Sequence, residues 1–238
     1  MSSQQRDKQS LIFIIILGAL TAIGPLSIDM FLPGLPEIKH DFNTSTAISQ
    51  LTLSLFMIGL ALGNLFVGPI SDAIGRKMPL VVSMFIFTLA SFSIIFVSNI
   101  WVMIVLRFVQ GLTGGASAVI SRAIASDLYS GKALTKFLAL LMLVNGIAPI
   151  IAPTLGGIIL SVSIWRTVFI VLTVFGILML LGSALKVTES LHIEQRETSG
   201  IKVIFKNFGK LLATPKYVLP MLIQGVTFIM LFSYISAS

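Results

Sequence analysis

Cysteine is absent from the chain. That excludes a disulfide framework, a thiolate metal site and a cysteine nucleophile. Charge is nearly as scarce. Only 11% of the residues are Asp, Glu, Lys or Arg, where an ordinary soluble domain carries roughly 25%. The two histidines, His40 and His192, both fall in polar segments between apolar runs. With no histidine and a single acid inside those runs, neither a Ser/His pair nor an acid dyad can be assembled there. This argues against an intramembrane hydrolase. What fills the chain instead is apolar: 56% of its 238 residues are hydrophobic, and the mean hydropathy is +1.02. No water-facing domain of this size hides that much apolar surface, so lipid must be the solvent. The net charge of +7 is therefore read by position and not as a nucleic-acid signature. No cofactor is implied.

The apolar runs divide the chain. Residues 1–10 are polar, with Arg6 and Lys8. A first helix is expected from Leu11 through Pro25 and Asp29 to about Leu35; it is too long, and followed by too many others, for a cleaved signal peptide. Glu37–Thr46 reads as an external loop. Further helices are expected over about Ala47–Ile70, Pro79–Val97, Ile100–Arg122, Phe137–Val162 and Trp165–Leu185, each near the ~20 residues needed to cross a bilayer. Residues 11–185 form a six-helix transmembrane domain, residues 186–216 a linker, and residues 217–238 a seventh span. In the linker, Lys202, Lys206 and Lys210 stand at four-residue spacing opposite Ile201, Phe205 and Phe208. That pattern suits an amphipathic helix on the membrane surface or a solvated basic linker. Of the 16 Lys and Arg residues, only Lys39, Arg107 and Arg166 fall off the side that also holds the N-terminus, leaving 13 on it. The positive-inside rule then puts the N-terminus and the linker in the cytoplasm.

Four stretches stand out. Gly68-Pro69-Ile70-Ser71-Asp72-Ala73-Ile74-Gly75-Arg76-Lys77 separates the second and third helices. Gly75 suits a turn with positive φ, and Pro69 is expected to help end the preceding helix. Asp72 lies close to Arg76 and Lys77 and is placed to cap the start of a neighbouring helix. By spacing alone this is a basic hairpin turn. Asp29 and Arg107 are the two ionisable residues within predicted spans. A charge at mid-bilayer costs roughly 2.5–3.5 kcal/mol on insertion scales, so such groups face a protein interior or a water cavity. Asp29 sits among Pro25, Pro33 and Pro36, which remove backbone donors and loosen the helix; the plainer alternative is an acid at the outer interface. Arg107 has Gln110 on its own helical face, with Gly111, Gly114 and Gly115 as a small packing face. Its plainer alternative is a structural arginine satisfied by carbonyls of a neighbouring helix. In the fifth helix Pro149 and Pro153 are four apart, with Gly146 before them and Gly156 and Gly157 after. Such a helix is bent and packs closely on a neighbour, or is simply a kinked packing helix. Gly59 and Gly63 give the second helix a small face of its own.

Taken together, these stretches resemble a known family. Gly68, Asp72, Gly75, Arg76 and Lys77 are similar to the loop signature of the major facilitator superfamily; Ala73 departs from it, since the family often has Arg or Lys there. The Arg107 segment resembles the fourth-helix motif of proton-coupled members. The Gly146–Gly157 segment resembles the motif associated with antiporters, with Ala152-Pro153 where many have Gly-Pro. Asp29-Met30-Phe31-Leu32-Pro33-Gly34-Leu35-Pro36 is similar to the first helix of the bicyclomycin-resistance (Bcr/CflA) drug efflux type. The resemblance runs from about Ile28 to Gly157, with Trp165-Arg166 consistent.

It implies an all-α polytopic membrane protein: the six-helix N-terminal half of a facilitator-type carrier plus one further transmembrane helix, lacking a C-terminal half. It further implies a cell-membrane exporter of small amphiphilic drugs in exchange for protons, with Asp29 and Arg107 coupling the proton and the Gly68–Lys77 loop switching conformation. Phe56, Met57, Met142 and Phe169 are candidates to line the substrate path, although lipid contact or packing is the better account of any one of them taken singly. An uptake carrier for a sugar or peptide is the closest rival, but it would want more carboxylates and amides in the spans. A seven-helix photoreceptor would want a lysine in Tyr217–Ser238, which has none.

Overall fold

The computed structural model describes residues 3–196 and 214–237. Contacts divide the chain into two units, Met1–Arg196 and Glu197–Ser238. The first unit contains α1 (Ser3–Asp29), α2 (Leu35–Asp41), α3 (Thr46–Ile74), α4 (Lys77–Ile95), α5 (Ile100–Leu128), α6 (Gly131–Val162) and α7 (Arg166–Lys186). The second contains α8 (Pro215–Ala237). Among the described residues six stretches are long and apolar enough to cross a membrane, the first of them Ile12–Asp41. The amphipathic pattern at Ile201–Leu212 lies outside the described residues.

The long helices of the first unit run alternately up and down. One end holds Gly75, Leu128 and Lys186; the other holds Asp41, Asn99 and Trp165. Local chemistry fixes several of the turns. Ser45 Oγ accepts from Ile48 N at 3.2 Å and starts α3, and Asn99 Oδ1 accepts from Trp101 N at 2.8 Å and starts α5. Such side-chain oxygens satisfy amides that a helix start leaves open. Gly75, at φ 105, closes α3 with its N–H on Ser71 O, a backbone state that suits glycine.

Helix boundaries differ from the sequence expectation in a consistent direction. The Glu37–Thr46 segment begins as helix, since α2 continues to Asp41. Pro69 lies inside α3, which runs to Ile74. α5 extends to Leu128 and α6 begins at Gly131. Hydropathy marks where lipid ends, whereas these helices continue past it and carry Asp72, Asp127, Lys132 and Lys136 on their ends. The segment expected to be a free linker also begins inside the bundle, because Val187 is fully buried and Ser190 and Leu191 are nearly so.

Packing is closest between α3 and α5. A Cβ on Gly59 or Gly63 would overlap the carbonyl oxygen of Phe108 or Leu112, and one on Gly111 or Gly115 would overlap that of Phe56 or Leu60. Four glycines thus let two backbones touch, as small residues do between membrane helices. One buried apolar cluster, including Leu17, Leu20, Met84, Phe87 and Ile124, fills the Gly75 end. A second, including Phe31, Ile38, Met103, Trp165 and Phe169, fills the Trp165 end. Large exposed apolar side chains such as Phe85, Phe96, Val105, Met142 and Ile150 cover the outside, a surface that lipid solvates.

Candidate functional site

Arg107 lies between the two apolar clusters and is fully buried. Its guanidinium is held by groups from four helices or their extensions. Nη1 donates to Gln110 Oε1 at 2.7 Å, and Nη2 donates to Ser27 O on α1 at 3.2 Å. The guanidinium carbon lies 4.3 Å from the ring centroids of Phe31 and of Phe56 on α3, and 5.7 Å from that of Phe169 on α7. Gln110 Nε2 donates in turn to Ser91 Oγ on α4 at 2.7 Å. Arg107 makes no ion pair among the described residues, and its Nε has no partner. Its charge is held by ring faces and neutral oxygens, the means available where no carboxylate is supplied. Gln110 thus shares its face, and one carbonyl of a neighbouring helix accepts from the guanidinium.

Asp29 ends α1 and is half-buried. Ser27 and Phe31, which both hold Arg107, flank it in sequence. Its own carboxylate has no ion-pair or hydrogen-bond partner among the described residues. The structure therefore brings the two ionisable span residues to one neighbourhood without pairing them.

At the Gly75 end, Arg76 is the centre of a clasp. Nη1 pairs with Asp72 at 2.5 Å and bonds Ser71 Oγ at 2.8 Å; Nε pairs with Asp127 of α5 at 2.9 Å. Burial works against charge on Arg76, but Asp127 and Asp72 more than reverse it and raise its pKa. Glu189 closes the clasp, accepting from Arg76 N at 2.8 Å and Lys77 N at 3.2 Å. It is Glu189, arriving from beyond α7, that caps α4, while Asp72 pairs with Arg76 one turn on. Burial would raise the Glu189 carboxyl; the Arg76, Leu191 and Lys77 amides and Arg196 outweigh it and lower it below the usual carboxylate range. Ser190 Oγ adds a bond to Asp127 at 2.8 Å. Sequence reading missed Asp127, Glu189 and Ser190.

The opposite end has its own clasp. Glu37 accepts from Trp165 N at 3.0 Å, capping α7. Asp41 accepts from Trp165 Nε1 at 3.0 Å and pairs with Arg166 at 2.6 Å, while Arg166 also reaches Val97 O at 3.1 Å.

The remaining predicted residues divide. Of the proline-glycine set on α6, only Gly156 makes a close approach, with no room for a Cβ against the backbone of Met30. Ala148 and Ala152 share its buried face, whereas Gly146, Pro149, Pro153 and Gly157 are exposed on the other. Phe56 and Phe169 are buried on Arg107, Met57 is half-buried, and Met142 is 74% exposed. Gly68 meets only Val119.

Residues 17–237 match the profile of the Major Facilitator Superfamily. The chain is 42% identical to the MFS-type transporter YdgK of Bacillus subtilis over 86% of its own length and 52% of that protein's. It is 32% identical to a bicyclomycin resistance protein homolog of Haemophilus influenzae, over 98% of this chain and 58% of the relative. It is 34% identical to the multidrug resistance protein MdtL of Vibrio parahaemolyticus, over 78% and 47%. The chain spans about half the length of the curated relatives it matches. A crystal structure of the human organic anion transporter MFSD10 (TETRAN) superposes with a TM-score of 0.60 at 16% identity, covering 86% of this chain and 53% of the other; it speaks for the fold. The six apolar helices in this order, the Gly68–Lys77 turn with its clasp and the sequence match agree: the chain belongs to the Major Facilitator Superfamily.

Proposed function

We propose that residues 1–238 supply one half of a plasma-membrane exporter that moves small amphiphilic drugs outward in exchange for protons, with the N-terminus in the cytoplasm. The observation that carries this reading is the separated pair in the first unit: a buried Arg107 with no acid on it and, flanked by two of its ligands, an Asp29 with no partner, both among the described residues. An acid with nothing to hold its charge is free to take and give up a proton, which is what a coupling group must do. Relatives named for bicyclomycin and multidrug resistance support the substrate class.

The remaining residues take roles around that pair. The exposed face of α6 with Gly146, Pro149, Pro153 and Gly157 is suited to meet the second half of the carrier, where proline and glycine allow close sliding contact. Within the Arg76 clasp, the bonds made by Glu189 and Ser190 are suited to open and close as the halves rock. Met57 and Met142 are candidates for the drug path; Phe56 and Phe169 act there through Arg107. Vesicles holding residues 1–238 alone are expected not to transport, since the midplane site of such carriers lies between two halves.

The test is Asp29→Asn in a full-length carrier that contains this chain. Drug export driven by a pH gradient is expected to disappear while drug binding in detergent persists. Export at the wild-type rate under the same gradient would remove Asp29 from the coupling role.

A further inference from the structure

We infer that Ser91 is a positioning residue for the coupling site, acting on Arg107 through the side-chain amide of Gln110. The inference rests on the reading of Arg107 given above.

Ser91 lies on α4, is fully buried, and has one hydroxyl proton. That proton is committed, because Ser91 Oγ lies 2.8 Å from Phe87 O, which can only accept. Several buried hydroxyls make the same bond to their own helix and nothing more, among them Thr173 to Phe169 O and Ser183 to Met179 O. Ser91 differs in having a second neighbour, Gln110 Nε2 at 2.7 Å. With its proton spent, the Ser91 oxygen can only accept there, so it must face the NH2 group and not the carbonyl oxygen of the amide. That fixes the amide's orientation and turns Gln110 Oε1 toward Arg107 Nη1 at 2.7 Å. The reversed amide would set donors of Gln110 against donors of Arg107 and an oxygen against an oxygen with no proton to share. Both mismatches would be buried, where each is expensive.

The consequence reaches the coupling group. With Nη1 fixed by Gln110, Nη2 is aimed at Ser27 O, two residues before Asp29. Without Ser91 nothing sorts the two ends of the amide except Arg107 itself, and Gln110 Nε2 loses its acceptor. Sequence gave no sign of this, since Ser91 lies on a different helix within an ordinary apolar span.

Residues 1–238 in detergent micelles, labelled with 15N-arginine, supply the first readout: exchange of the Arg107 guanidinium hydrogens with solvent, assigned by comparison with Arg107→Lys. Ser91→Ala is expected to speed that exchange by about tenfold, the weight of one hydrogen bond to a charged group. In the double variant Ser91→Ala/Gln110→Glu the side chain offers an oxygen to Arg107 whichever way it turns, and slow exchange is expected to return. A full-length carrier supplies the second readout: Ser91→Ala is expected to cut gradient-driven drug export by about tenfold with drug binding unchanged. Three results overturn the inference: unchanged exchange in Ser91→Ala, faster exchange that the double variant does not reverse, or faster exchange with unaltered export. If the unsubstituted carrier exports drug at a rate indifferent to the pH gradient, the proton reading falls, and the two exchange measurements alone then decide Ser91.

Discussion

Asp127→Ala tests how the Gly75 end is held. Arg76 has two acidic partners, and the shorter contact is the one to Asp72, 2.5 Å against 2.9 Å for Asp127. Distance alone would rank Asp72 first. Exposure reverses the order. The Asp72 side chain is 44% exposed and lies one helical turn from Arg76, whereas Asp127 is 16% exposed and bridges to another helix. An exposed pair at this helical spacing contributes about 0.3–0.5 kcal/mol. Removing one partner from a buried pair costs about 3–5 kcal/mol, because the remaining charge is left without compensation. Asp72 and Ser71 stay on Nη1 after the change, so the loss is expected near the lower figure. At roughly 2–4 °C per kcal/mol for a chain of this size, Asp127→Ala lowers the apparent Tm by on the order of 6–12 °C, and Asp72→Ala by about 1–2 °C. The assay is thermal unfolding of the detergent-solubilised chain, followed by loss of monodisperse protein. Equal losses for the two variants, or none for Asp127→Ala, would refute the argument that burial and not distance sets the weight of this clasp.

Other outcomes follow from the same geometry. Glu189 is lowered below its ordinary value of 4.5, so its contribution is complete above that value and is lost as pH falls through the lower folded one. Wild type is therefore expected to lose stability on acidification more steeply than Glu189→Gln, with the two converging at low pH; parallel curves would contradict the capping role. Gly111→Ala is expected to destabilise by about 1–3 kcal/mol or more through the forced separation of α3 and α5, since its Cβ has only backbone to meet. Gly146→Ala, with nothing within 4 Å of the added carbon, is expected to be neutral to within about 0.5 kcal/mol; thermal stability of the two variants checks the contrast.

How much of this could be read from the sequence depended on how far along the chain each partner lies. The first six spans, the shared face of Arg107 and Gln110, and the small faces at Gly59, Gly63, Gly111 and Gly115 are local patterns with helical spacing, and the structure holds them. The position of a charge in an apolar run was enough to single out Asp29 and Arg107. Asp72 reads as a candidate cap for a neighbouring helix because it lies near Arg76 and Lys77 in sequence, but the start of α4 is capped from farther along the chain. The group that does it, Glu189, is 112 residues from Lys77, in a stretch whose polar composition reads as linker. Asp127 is 51 residues from Arg76 and lies where hydropathy had already ended the helix. Neither carries a local signal, since an acid beyond a span is ordinary until a partner is placed beside it.

The same limit explains why the site and the clasp look independent in sequence and are not so in space. Arg107 and Asp127 sit on one helix, about 30 Å apart at 1.5 Å per residue. Along that length α5 lies against α3, which carries Phe56 at the first site and Asp72 at the second. Between them the four glycines put backbone against backbone, and a backbone contact has no side-chain rotamer to absorb a shift. A displacement of α5 at the Arg107 cage must therefore move α3 with it or break the contact. If it moves α3, the pair arrives at the Gly75 end as one body, and the bonds that can change are those to groups outside the pair: the cap that Glu189 places on Arg76 N and Lys77 N, and the bond from Ser190 to Asp127. Arg76–Asp127 joins the pair's own ends and travels with it. Switching at this end is thus expected to be carried by the residues 187–191 segment, the part of the chain that composition alone marks as least structured.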